Sequence, residues 1–356
     1  MNILKGRRAV IYCEGCFGSK TSKVAASYLR YCGSDCVAVI DSDKAGQRVV
    51  DILGYGKGIP IISGLEQLGK IKPDVFMIGF GLFSNVLPSA VRESIKQALL
   101  LKMDVVSGLH FKLADDPELS ALAHQYDCQI WDTKEPSRHL RTSNNRLVNK
   151  DNFIIHTVGS DCRVGKKTTA LEIAAECRRQ GISAVMAATG QSGMYITGNG
   201  IAVDAVPADF IAGASEDLVL DLCDENKWIL VEGQGAISHP AYSGVTLGLL
   251  HGVMPQALVL CHQANLTHHK GWPDSPLRSL SELISMYEQL GSYMRKSKVV
   301  AISVNCEGMG TDEAEKYLIK VEQETGLPAT DVILFGASKL VKCLHQFIGE
   351  ETQVAC

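Results

Sequence analysis

HTVGSDCRVGKKTTALE, residues 156–172, decides how the second half of the chain is built. The apolar run NFIIHTV leads into it, and TTALEIAAECRRQG leaves it with helical spacing up to Gly181, so the stretch is a turn between a strand and a helix. It comes close to G-x-x-x-x-G-K-[ST], the loop whose backbone N–H groups and helix N-terminus hold phosphates. It departs in two places. Gly159 stands one residue too far upstream of Gly165, and Lys167 occupies the position of the hydroxyl that would hold magnesium. An ammonium cannot ligate that ion and repels it, and Thr168 lies one residue further around the helix. Phosphoryl transfer relies on the metal to neutralise and align the terminal phosphate. Lys166 and Lys167 together suit a diphosphate that is held and never cleaved, such as that of coenzyme A. The expected contacts are Gly159, Asp161, Gly165, Lys166, Lys167, Thr168 and Thr169, with no metal.

Further strands surround this loop. KWILVEGQG is a buried run ending at Glu232, a position for a metal-holding carboxylate or, without a metal, a general base. ISHPAYSGVTLGLLHG follows and brings His239, Tyr242, Ser243 and His251 to loops or helix ends. QALVLCH ends in His262, and Asn305 ends the strand in AISVNC, placed to read an adenine edge. ATGQSG, residues 188–193, is Gly-rich enough for close approach of a ligand and includes Gln191. Asp209 reads equally well as a turn residue. Glu232 and His239 are the candidate bases, and N–H groups near Gly233–Gly235 the expected oxyanion donors. Ser279 and Glu282 form a capping box, and Ser215 is expected to cap the helix SEDLVLDLCDE.

Upstream, RRAVIYC, DCVAVID, DVFMIGF and MDVVSGL read as strands alternating with amphipathic helices, again a parallel sheet covered on both faces. The polar segment TKEPSRHLRTSNNRLVNKDN breaks the alternation, placing a boundary near residue 145. The chain therefore reads as α/β with two domains, residues 1–145 and 146–356. YCEGCFGSKTSK has only Gly15 and Gly18 of a dinucleotide turn, with Asp41 as the acid at the next strand end. Cys13 and Cys16 form a CxxC, but Cys32 and Cys36 have looser spacing than a zinc site prefers. His110 ends a later strand. Lys20, Lys23 or Arg278 are cationic candidates for substrate carboxylates.

The 356 residues carry a net charge of −4, with 46% hydrophobic and 21% charged side chains. This balance, without a long basic run, argues against nucleic-acid and anionic-membrane binding. The amino terminus lacks the apolar stretch of a secretory signal and no run approaches a membrane span. The expectation is a cytoplasmic protein whose 12 cysteines are reduced, acting on a small molecule, with a homo-oligomer suiting this architecture.

The blocks YCEG, DVVSGLH, DDPEL, GSDCRVGKKTTALE, ATGQSG, ADFIAG, VEGQG, HPAYSGVTLGLLHG and ALVLCH resemble the DgcN family over nearly the whole chain. That resemblance implies a Rossmann-like amino-terminal domain and a P-loop NTPase-like carboxy-terminal domain. It also implies transfer of an acetyl group from acetyl-CoA to the amine of D-glutamate or a similar small amino acid. For such a transfer the residues read above would serve as follows: Glu232, His239 and Tyr242 as catalytic groups, and Lys20, Gln191, Ser243 and His262 toward the amino acid. The second half is also similar to dethiobiotin synthetase, which shares Gly159, Asp161, Val164, Gly165 and Lys166 of its loop. Two alternatives follow: an ATP- and magnesium-dependent ligase or kinase, and a nucleotide-binding protein without catalysis.

Overall fold

The computed structural model describes residues 4, 6–18, 22–82, 86–135 and 139–354, with side chains to residue 350. The chain divides into two compact units, Met1–Pro136 with Gln191–Ala205, and Ser137–Gly190 with Val206–Cys356.

In the first unit the strands are β1 (Ala9–Tyr12), β2 (Cys36–Ile40), β3 (Ile61–Ile62), β4 (Val75–Ile78), β5 (Asp104–Ser107) and β6 (Ile130–Asp132). They form a parallel sheet in the order β3-β2-β1-β4-β5-β6, the doubly wound order of a Rossmann fold. Helices Lys23–Cys32 and Ser89–Leu100 carry apolar stripes that cover it. Both faces of the sheet are buried, which is why the strands read as unbroken apolar runs.

The second unit holds β7 (Phe153–Gly159), β8 (Ala184–Ala187), β9 (Trp228–Val231), β10 (Ala257–Gln263), β11 (Lys298–Asn305) and β12 (Ala329–Thr330). Their order is β12-β11-β10-β7-β9-β8, again parallel. The strand before the phosphate loop therefore lies between β9 and β10. Ligands bind at such a switch point, beyond the carboxyl ends of the strands. Gly159, Glu232, His262 and Asn305 all stand at those ends.

Three local readings change. A single cut near residue 145 leaves out residues 191–205, which cluster with the first unit; a polar break marks a loop but does not reveal where the chain goes later. The polar segment at 141–146 is itself strapped to helix Ile211–Cys223. Glu216, fully buried there, accepts hydrogen bonds from Asn144 N, Arg146 N and the Arg146 guanidinium. A Cβ on Gly213 would stand 1.8 Å from the Arg141 carbonyl oxygen. Ser215 caps nothing: it lies inside that helix, its hydroxyl donating back to Ile211 O at 2.7 Å. The capping box of Ser279 and Glu282 forms as expected. Among the described residues no helix is long and apolar enough to cross a membrane.

Candidate active site

The phosphate loop starts where β7 ends and closes at helix Lys166–Arg179. Its turn uses a left-handed Arg163 (φ 58°) and Gly165 (φ 107°). The Lys166 side chain runs back along the loop and donates to Asp161 O at 2.7 Å. Its path explains two glycines. A Cβ at Gly159 would come within 2.8 Å of Lys166 Nζ, and one at Gly233 within 2.9 Å of its Cδ and 1.8 Å of Thr157 O. Burial lowers the pKa of Lys166 and of Lys167, and the carboxylate of Glu232 pulls that of Lys167 part of the way back up. The loop start is pinned from below by Tyr287, which donates to Gly159 O at 2.8 Å and accepts from Ile237 N at 2.9 Å.

Glu232 directly follows β9, next to the phosphate-loop strand, and is 5% exposed. Its carboxylate accepts from Thr189 N at 3.1 Å. Burial pushes its pKa up to about 7, against the pull of Lys167 and the N–H groups of Thr189 and Gly190. A carboxylate with that affinity can take and release a proton near neutral pH.

Asp161 is fully buried. It accepts from His269 Nδ1–H at 3.0 Å and from Lys270 N at 2.8 Å, so it anchors the loop 267–277 to the phosphate loop. His239 lies above it, Nε2 3.6 Å from Asp161 Oδ1. The imidazole of His239 packs against Trp272, Tyr242 and His269, ring centroids 4.5, 4.7 and 4.9 Å away. Tyr242 is the half-exposed wall of this group, and Ser243 starts the following helix, its N–H donating to His239 O at 3.1 Å. Asp161, Cys162 and His239 are close enough to be weighed as a metal site, but the ring's hydrogen bonding argues otherwise. His239 Nδ1 accepts from Ala241 N at 3.1 Å, so in the neutral ring Nε2 carries the hydrogen and has no lone pair for a metal.

On the other side of the loop, Gly165, Thr168, Ser303, Asn305, Asp331 and Ile333 line a cavity of about 100 Å³. Asn305 Oδ1 accepts from Glu307 N at 3.0 Å, so what the side chain can offer a base edge is its amide N–H. Asp331 is spent on Cys306, Ile333 and Leu334 N–H groups.

Several expected contacts have other duties. The Thr169 hydroxyl shares a hydrogen bond with Ser303 Oγ at 2.7 Å and is buried. Both nitrogens of His262 are engaged, by Ser160 Oγ at 2.9 Å and Tyr317 OH at 3.3 Å, and burial lowers its pKa to about 4; it braces the loop from inside. His251 Nε2 is within 2.9 Å of Leu290 O. Gly233 N donates to Thr157 Oγ1 at 3.0 Å, which removes it from the expected oxyanion donors. Gln191 opens helix Gln191–Thr197 of the first unit, its side chain against Gly108. Lys20 lies outside the described residues. Lys23 starts the first helix, and the exposed Arg278 is 3.7 Å from Glu282. In the first unit Asp41 is buried and accepts from Phe17 N at 2.7 Å and Asp43 N at 3.1 Å. Its oxygens fasten the turn after β1, which displaces the ribose reading. Cys16 Sγ donates to Cys13 O at 3.3 Å, and His110 Nε2 is 2.9 Å from Lys134 Nζ.

Thr189, His269, Lys270, Trp272 and Tyr287 escaped the reading of the sequence. Thr189 sits inside ATGQSG, the segment marked for its glycines; NLTHHKGW, just beyond the strand QALVLCH, had its signal in the density of His and Lys but no periodicity of its own.

Residues 141–341 match the family model described as a domain of unknown function (DUF1611_C), P-loop domain, and residues 42–136 match the DUF1611_N Rossmann-like domain. The chain is 40% identical over 281 residues to a D-glutamate N-acetyltransferase of Tritonibacter scottomollicae, covering 79% of this chain and 84% of that one. It is 35% identical over 290 residues to one from a Pseudoalteromonas species, 80% and 86% covered. A crystal structure of a DUF1611 family protein from Anabaena variabilis superposes with a TM-score of 0.89 at 34% identity, covering 96% of this chain and 100% of that one.

Proposed function

Because the chain belongs to the DUF1611 family, with its Rossmann-like and P-loop domains, we propose that it is an N-acetyltransferase that moves an acetyl group from acetyl-CoA to the amine of a small amino acid. D-glutamate is the first acceptor to test, after the relatives that carry that name. The observation that carries the reading is the pairing at the loop: Lys167 stands in the metal-ligand position and Glu232, at the neighbouring strand end, has its pKa raised to about 7. Both groups that a magnesium site would use are thus a cation and a proton acceptor. Lys166, Lys167 and the helix N-terminus are suited to the diphosphate of the donor, and the cavity beside Gly165 and Asn305 to its adenine end.

In this reading Glu232 takes a proton from the acceptor ammonium, so that the amine nitrogen has a lone pair. The new C–N bond forms as the C–S bond of the thioester breaks. The sulfur leaves as thiolate and takes the proton held by Glu232, giving CoA–SH. The second proton, which the nitrogen sheds on becoming an amide, passes through the freed carboxylate to water, and Glu232 is left ionised. No phosphate bond is broken, so Lys167 need never yield its place to a metal.

The test is a thiol-release assay with purified protein, acetyl-CoA and D- or L-amino acids, run with EDTA and with magnesium and ATP. EDTA-insensitive release of CoA thiol with an N-acetylated product is the expected outcome. Magnesium-dependent ADP formation without thiol release would overturn it in favour of a ligase or kinase. Tight nucleotide binding with no turnover of either kind would point to a non-catalytic protein.

A further inference from the structure

Among the described residues, His239 Nε2 is the buried side-chain atom at the phosphate loop that has no hydrogen-bond partner. Native proteins rarely leave such a group unsatisfied without a use for it. Its chemistry is fixed by the other side of the ring. Ala241 N donates to Nδ1, so Nδ1 must present its lone pair and Nε2 must bear the hydrogen. The ring cannot swivel freely, because Trp272, Tyr242 and His269 hold it on three sides and its side chain is 0% exposed. A second observation concerns what Nε2–H does not do. The nearest carboxylate oxygen, Asp161 Oδ1, is 3.6 Å away, beyond hydrogen-bond distance, and already accepts from His269.

We propose that His239 is a fixed hydrogen-bond donor, through Nε2–H, to a substrate oxygen that carries or develops negative charge, and is not a general base. This rests on the acetyltransferase reading and assigns within it the role that Gly233 N, spent on Thr157, does not fill. A base needs a lone pair pointing at the proton it removes; His239 points a hydrogen. The oxygen has two possible sources in the same chemistry, the acyl oxygen of the thioester as the tetrahedral intermediate forms, or a carboxylate of the amino-acid acceptor. The charged and titratable groups around the ring are Asp161, His269 and Lys166. Lys270, whose backbone N–H is bonded to Asp161, has Arg163, Glu307 and Cys162 about it, so three cations stand against the carboxylates of Asp161 and Glu307. Cations outnumber acids there, so an anionic oxygen is accommodated despite Asp161.

The experiment compares wild type, H239A and H239Q in the acetyl-transfer assay across pH, with ¹⁵N-histidine NMR of the wild type. H239A is expected to lose 10²–10³-fold in kcat if the acyl oxygen is bound, the scale of a lost oxyanion donor, or to raise KM for the acceptor if its carboxylate is bound. H239Q, whose amide can donate, should recover part of either loss. In both variants the ascending limb of the pH profile should stay where it is. Loss of that limb in H239Q, or unchanged kcat and KM in both variants, overturns the proposal. The NMR reading does not depend on turnover: the Nε2–H tautomer is expected, and an Nδ1–H ring would overturn the proposal even if the protein proved to catalyse another reaction.

Discussion

Thr189 and Glu232 are joined twice. Thr189 N donates to Glu232 Oε2 at 3.1 Å, and Thr189 Oγ1 donates to Glu232 O at 2.7 Å. Each residue stands just beyond the end of its strand, β8 and β9, so the pair ties those two ends together at the point where the acid must be held. Gln234 Nε2 donates to the same Thr189 hydroxyl at 3.1 Å. Replacing Thr189 by Val keeps the shape and the N–H but removes the hydroxyl. The Glu232 carbonyl and the Gln234 amide then lose a partner in a buried setting, a cost of about 1–3 kcal/mol. T189V should unfold at lower urea and show reduced kcat, whereas unchanged stability and rate would mean that the double link is incidental.

Glu232 should set the pH dependence. Its pKa, pushed from 4.5 up to about 7 by burial, makes the unprotonated base available only as pH rises through 7. The kcat/KM of the wild type should therefore climb across that range, and E232Q should lose at least about 10²-fold and with it the climb. The same shift fixes a stability trend. A group whose folded pKa is raised favours the folded state below its unfolded pKa, and this contribution disappears as pH rises through 7. Relative to E232Q, the wild type should lose up to about 3 kcal/mol between pH 4 and pH 8 at 1.36 kcal/mol per unit. Denaturant titrations of both proteins across that range measure it; a gap independent of pH would contradict the burial argument.

Under the proposed function, position 167 should separate a held diphosphate from a cleaved one. K167T restores a hydroxyl and removes a charge that faces the loop. Acetyl-CoA affinity should fall by about 10-fold or more, the scale of one charge-assisted contact, and wild-type affinity should be the same in EDTA as in magnesium. Isothermal titration reads both. A wild-type affinity that collapses in EDTA would return the site to metal chemistry.

Two glycines should respond with opposite sign. A Cβ on Gly233 would stand 1.8 Å from Thr157 O, a backbone atom that cannot step aside. G233A should separate the ends of β7 and β9, lower stability by more than about 3 kcal/mol and abolish activity. Gly244, in the first turn of helix Ser243–Val253, has nothing within 4 Å of its Cβ position. G244A should raise stability by about 0.5–1 kcal/mol through helix propensity. Thermal melts of the two variants give the comparison.

The sequence by itself determined the parts of this protein that are contiguous in the chain. Apolar runs alternating with helical spacing specified two parallel α/β sheets, since a strand buried on both faces cannot afford polar residues. The strand–loop–helix from Phe153 to Arg179 lies in one stretch, and the position of Glu232 at a strand end beside that loop was legible from the apolar run before it. Tertiary structure decided the rest. Asp161 meets His269 across 108 residues, Gly159 meets Tyr287 across 128, and Glu232 meets Thr189 across 43. No periodicity encodes such pairs, because they exist only once the order β12-β11-β10-β7-β9-β8 has set those strand ends and loops side by side. The same packing gave other partners to residues expected at the site. His262 and Thr169 are polar groups near the loop, but their hydrogen bonds point into the protein. His239 had been placed beside Glu232 by the sequence, yet only the Ala241 N–H on its far side decides which of its nitrogens carries the proton.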